Sequence, residues 1–149
     1  MGKSKVLESL TKEWGLLLTM SENIPDQCQQ VTGAIGDWSV AQCLIHVASW
    51  DEEVMDLVGA FINSGLKRSI NNAPPHDLNN RHLESKGDMD LPDTWKYIYQ
   101  AHSTLMSYLE SLPEENFDPD SHNGEWLVTR LLPHYVGHKQ DIEVFAQSL

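Results

Sequence analysis

The sequence predicts an all-α fold, a four-helix bundle in up-down-down-up order with a long crossover between helices 2 and 3. Three observations predict it. Four segments carry apolar residues at spacings of three and four, the period of a helix face. No segment of useful length alternates as a strand does. The second and third helical segments are joined by the 26 residues from Leu66 to Leu91, far more than the two to eight usual between bundle helices. The chain has 149 residues, 40% of them hydrophobic, so about 60 apolar side chains are available for one core without disulfide or metal staples. Residues 1–149 are therefore expected to form a single domain.

The first helix is expected from about Ser4 to Ser21, with Val6, Leu7, Leu10, Trp14, Leu17 and Leu18 on its stripe. The second opens at Ser39. In Ser39-Val40-Ala41-Gln42 the serine hydroxyl takes an orphan amide and the glutamine reaches back, a capping box. Its stripe of Val40, Leu44, Val47, Val54, Val58 and Phe61 runs to about Asn63, and Gly65 ends it. The third follows Pro92-Asp93-Thr94, with Trp95, Ile98, His102, Leu105, Leu109 and Leu112 in alternating three/four spacing, the seam of a bundle. The fourth runs from about Glu125 to the C-terminus, and Pro133 inside it implies either a kink or a second start. The crossover, rich in Asn, Pro, His and Ser, is long enough to let helices 2 and 3 run parallel. It has room for a short helix near Pro75 to Lys86 and is expected, with residues 23–38, to border the site, the equal alternative being a plain crossover that only reverses chain order.

Composition excludes several function classes. Ten basic against 22 acidic side chains leave a net charge of −12. A phosphate backbone repels such a surface, and no Lys/Arg cluster relieves it, so neither nucleic acid nor a membrane is expected as a partner. No apolar run approaches the ~20 residues of a bilayer span. The start, MGKSKVLESLTKEW, lacks the continuous apolar core of a signal peptide, and Val6 stands where a myristoylation motif needs Ser or Thr. Cys28 and Cys43 are too few for a disulfide framework, which points to free thiols and a cytoplasmic location.

Three of the seven histidines are unusually placed. His134 and His138 are four apart on the last helix, so both project from one face about one turn apart. His46 sits in the otherwise apolar run Leu44-Ile45-His46-Val47-Ala48, where a buried imidazole needs a partner. At 1.5 Å per residue His46 lies about 10 Å into its helix and His134 about 13 Å into its own, so the levels are compatible. A lone histidine on an apolar face is more often a hydrogen-bonded core residue. A His-x3-His pair together with a third histidine from another helix is a better signal than either alone, and on spacing it leaves a metal site and ordinary core histidines evenly matched.

The segments GDWSVAQCLIHVASWDEE and LLPHYVGHKQDIEVF resemble the two signature segments of the DinB/YfiT-like superfamily of metalloproteins. Matched residue by residue, His46, His134 and His138 stand at that family's three metal-ligand positions. The stretch from Asp77 to Leu112 is similar to the ClbS/DfsB-like branch. The resemblance implies a divalent metal, usually zinc or nickel, and often a homodimer. It also implies activities such as thiol S-transfer, isomerisation or resistance-conferring hydrolysis of a small molecule, with a low-molecular-weight thiol as a further cofactor.

Three neutral imidazoles leave coordination positions open, as in catalytic rather than structural zinc sites, and do not select sharply among zinc, nickel, cobalt and iron(II). Glu53 and Trp50, seven and four residues after His46, share its face roughly. Glu53 is the candidate general base, although a solvated acidic face is the blander reading of Asp51-Glu52-Glu53. Trp50 suits a pocket wall, with a core or interface role as the commoner alternative. His102 and Cys43 are expected as core residues, and His76, His82 and His122 as surface residues. The competing functions are a sequestering bundle that binds metal or ligand without turnover, and a helical interaction module without metal.

Overall fold

Local chemistry sets the helix boundaries in the computed structural model, which describes residues 2–68, 75–86 and 88–149, without the side chains of residues 75–78. Helix α1 (Lys3–Glu22) buries Val6, Leu10, Leu17 and Leu18, the stripe expected from its spacing. A single turn, α2 (Asp26–Gln29), leads into α3 (Val40–Ser64). The capping box at its start is complete. The Gln42 amide donates to Ser39 Oγ at 3.1 Å, and the Ser39 amide donates to Gln42 Oε1 at 2.9 Å. Gly65 ends α3 at φ +72°, a left-handed position that glycine adopts without a steric penalty. The crossover contains α4 (Pro75–Lys86), as expected, and α5 (Leu91–Glu110) starts at Asp90, whose carboxylate accepts from the Asp93 amide at 2.8 Å. A 3-10 turn (Glu114–Phe117) follows.

The last helical stretch is built from α6 (His122–Gly124), a π-helical turn (Glu125–Leu131) and α7 (Leu132–Gln147). Pro133 lies in the first turn of α7, where its missing N–H costs least, and the wider turn before it absorbs the proline ring. Of the two readings of Pro133, the structure therefore gives a second start after a continuous turn.

Cross-helix pairs give the directions. Lys3 Nζ donates to the carbonyls of Glu110 and Leu112 at 2.6 and 2.8 Å, while Tyr99 donates to Glu22, so α1 and α5 are antiparallel. Ser49 meets Tyr97 at 3.1 Å and Gly59 lies beside Tyr108, so α3 and α5 are parallel. Cys43 meets His138 and Asp51 meets Tyr135, so α3 and α7 are antiparallel. This is the up-down-down-up order. Leu10, Leu17, Leu44, Leu105, Leu109 and Leu127 fill the core between the four long helices. Among the described residues no helix is long and apolar enough to cross a membrane.

Candidate metal centre

Antiparallel packing brings the second turn of α3 against the first turns of α7, and three imidazoles meet there. His46 Nε2 lies 2.8 Å from His134 Nε2, which lies 3.1 Å from His138 Nε2. The rings are nearly perpendicular, at centroid separations of 4.6 to 4.9 Å. Burial is the main cause that lowers the pKa of each. His46 falls to about 3, helped by the neighbouring His138 and His82; His134 falls well below its ordinary value, and His138 falls against the opposing pull of Asp141. All three are therefore neutral near pH 7, the state in which imidazole ligates a metal.

The donor set fits a divalent ion. Two ligand nitrogens ~2.05 Å from a tetrahedral metal stand ~3.3 Å apart, close to the separations between these nitrogens. His138 Nδ1 faces Asp141 Oδ2 at 3.2 Å and Cys43 Sγ at 3.4 Å, which assigns its proton to Nδ1 and leaves the Nε2 lone pair facing the other two rings. His46 is 5% exposed, and its Nδ1 has no hydrogen-bond partner among the described residues.

The three imidazoles form one side of a cavity of about 450 Å³. Its apolar wall is made by Trp50, Val54, Trp126, Leu131 and Pro133. Asn79 of α4 adds a polar group, and the exposed Thr129 and Arg130 stand at its solvent side. The crossover therefore reaches the site through Asn79, whose Oδ1 accepts from Trp50 Nε1 at 2.7 Å. Within residues 23–38, Trp38 packs its indole 4.7 Å from the His46 ring.

A second polar cluster lies beside the imidazoles. Tyr135, between the two histidines of α7, is fully buried and donates to Asp51 Oδ1 at 2.5 Å. His102 Nδ1 lies 3.2 Å from the Tyr135 hydroxyl and 3.6 Å from Asp51 Oδ2, with Trp14 stacked on its ring at 3.9 Å. Burial raises the pKa values of Asp51 and Tyr135.

The remaining site residues fall as follows. Trp50 lines the cavity. Glu53 does not; its carboxylate is held by His82 Nε2 at 3.2 Å. Cys43 is buried, and burial together with Asp141 pushes its thiol up, so it stays a protonated core residue. Of the histidines expected at the surface, His82 is buried and His122 is half-buried. His82 is 7% exposed because α4 folds back on α3, and His122 stacks on Phe61 while accepting from the Arg68 amide. The side chain of His76 lies outside the described residues. Sequence reasoning missed Asp51, Tyr135, Trp126, Asn79 and Arg130. Trp126, Arg130, His134 and His138 are spaced by four throughout, but in a regular helix that spacing drifts by about 40° per step, so it did not by itself place Arg130 at the site.

A model of the DinB superfamily matches residues 9–141. No curated protein matches the chain by sequence. Three solved structures share the fold. The colibactin self-resistance protein ClbS, in complex with a double-stranded DNA, superimposes with a TM-score of 0.83 at 12% identity, covering 99% of this chain and 97% of that one. The sibling lethal factor precursor DfsB gives 0.80 at 13% identity, over 99% and 96%. A Streptococcus pneumoniae protein gives 0.75 at 12% identity, over 99% and 91%. The ClbS complex corrects the exclusion of nucleic acid drawn from net charge, since a chain of this fold is bound to duplex DNA. Net charge sums the whole surface, whereas a duplex meets only one face of it.

Proposed function

The chain belongs to the DinB superfamily, and from that premise we propose that it is a divalent-metal-dependent enzyme acting on a small molecule by thiol S-transfer or hydrolysis. His46, His134 and His138 hold the metal, and zinc or nickel is the choice that membership of the family supports, since three neutral imidazoles alone do not select it. The observation that carries this reading is the convergence of three Nε2 atoms on one side of a 450 Å³ cavity, a size suited to a small organic ligand. When bound, the metal supplies Lewis acidity to water or to a low-molecular-weight thiol. Trp50, Trp126 and Val54 pack the substrate and exclude bulk water. Asp141 holds the His138 proton at Nδ1. A homodimer in the cytoplasm is the setting proposed, the latter supported by two free cysteines.

One observation favours a second reading. No carboxylate lines the cavity among the described residues, and Glu53 is turned to His82, so a general base is lacking and the bundle would hold its ligand without turnover. Metal-loaded protein assayed with a panel of thiols and monochlorobimane separates the two. Thiol consumption above that of His134→Ala supports the enzyme; rates equal to that variant support sequestration. Duplex DNA belongs in the same panel, since the ClbS structure contains it.

A further inference from the structure

Every charged or apolar group around the cavity has a role in the fold or beside the imidazoles except one. Arg130 is exposed and makes no hydrogen bond or ion pair among the described residues, in a chain with 22 acidic and ten basic side chains. Most other Lys and Arg side chains also make no ion pair among the described residues, Lys139 with Glu13 being an exception, but Arg130 is the cation that lines the cavity. Here the cavity wall next to it contains no Asp or Glu among the described residues.

Its direction is built into the helix. In a regular α-helix, residues four apart drift by about 40° per step, so Trp126, Arg130, His134 and His138 would spiral away from one another. The π turn over Glu125–Leu131 is wider and turns the drift back, which keeps all four on the cavity. Arg130 thus stands one turn outside His134 on the same face. The same cavity is lined by two indoles, Trp50 and Trp126. The indole N–H of Trp50 is tied to Asn79 Oδ1 at 2.7 Å and that of Trp126 to the Arg68 carbonyl at 3.0 Å. Both rings are fixed, and with their N–H groups engaged they offer the cavity apolar surface.

We propose that the cavity selects a planar aromatic carboxylate, with its ring against Trp50 and Trp126 and its carboxylate on the Arg130 guanidinium. The substrate's opposite edge then faces the imidazoles. Arginine suits this task because its planar fork matches a carboxylate with two parallel hydrogen bonds. The proposal names the substrate class of the site described above and rests on that cavity being the functional one.

The test uses metal-free full-length protein, so that a carboxylate cannot gain by ligating metal, and two probes of one shape, 2-naphthoate and 2-naphthamide. Calorimetry is expected to show 2-naphthoate binding about tenfold tighter, as one charge-assisted contact at a partly exposed site warrants. Arg130→Gln removes that preference and leaves 2-naphthamide binding within about twofold. Equal binding of the two probes by the native protein, a preference that survives Arg130→Gln, or binding of neither probe at about a millimolar overturns the proposal. Metal content of Arg130→Gln, measured in parallel, stays at the native level, so failure of metal binding is distinguished from failure of anion selection.

Discussion

Replacing Tyr135 by Phe removes one oxygen atom from the middle of the bundle and nothing else. The phenol is fully buried, its hydroxyl donates to Asp51 Oδ1 at 2.5 Å, and it stands 3.2 Å from His102 Nδ1. The ring of Phe fills the same volume, so no large cavity opens. The loss is the hydrogen bond together with the cost of leaving a buried carboxyl without its nearest donor, since Asp51 Oδ2 already lacks a partner among the described residues. Removing one partner of such a buried pair costs about 1–3 kcal/mol, with about 2 kcal/mol as the central value. At ~2.1 cal/mol/K per residue the unfolding entropy of this chain is about 0.3 kcal/mol/K, so Tm should fall by about 6 °C. Circular dichroism melts of metal-free native and Tyr135→Phe protein at neutral pH measure it. Asp51→Asn, which keeps an acceptor for the tyrosine, should lose less. A Tm within about 1 °C of the native value would show that the buried Asp51–Tyr135 contact contributes nothing net.

Further outcomes follow from the same packing. Burial holds all three imidazoles below their unfolded pKa of about 6.5, His46 at about 3, so the folded state binds fewer protons than the unfolded one. That stability is full above about pH 6.5 and is lost as pH falls towards the folded values, at up to ~1.4 kcal/mol per pH unit for each histidine. Metal-free protein should therefore melt progressively lower on acidification, with a shallower slope in His46→Ala; parallel slopes would contradict this. Gly124→Ala would place a Cβ 1.7 Å from the backbone oxygen of Asp118, and the urea midpoint should drop by the equivalent of about 3 kcal/mol; an unchanged midpoint refutes that contact. Light scattering at micromolar concentration should give twice the chain mass of 16.9 kDa, with exposed Leu16 of α1 and Val144 of α7 marking the face expected to pair; a single chain mass refutes the dimer.

Much of the bundle was legible because its signals are local. The Ser39/Gln42 box, the Gly65 stop and the three/four stripes each act within a few residues, and the length of the crossover already allowed parallel α3 and α5. The grouping of His46 with His134 and His138 was legible from an imidazole placed in an apolar run. Asp51 was misread as part of a solvated acidic face, although it stands seven residues from both Leu44 and Val58 and so lies on the buried stripe. The positions of His82 and His122 depend on how α4 and the residues after α3 fold back, which no periodicity encodes. Arg130 was hidden for another reason. A regular 3.6-residue helix turns it away from His138, and only the π turn before Pro133 brings it back.

The central claim is that three histidines from two antiparallel helices hold one metal ion. Elemental analysis of untagged protein, native and with His46→Ala, His134→Ala or His138→Ala, tests it most directly. The predicted result is about one divalent ion per native chain and a loss of most of it in each variant, with helix content by circular dichroism nearly native, because the apolar core holds the bundle without the ion. A native metal content well below one per chain, or a variant that keeps full metal affinity, would contradict the assignment.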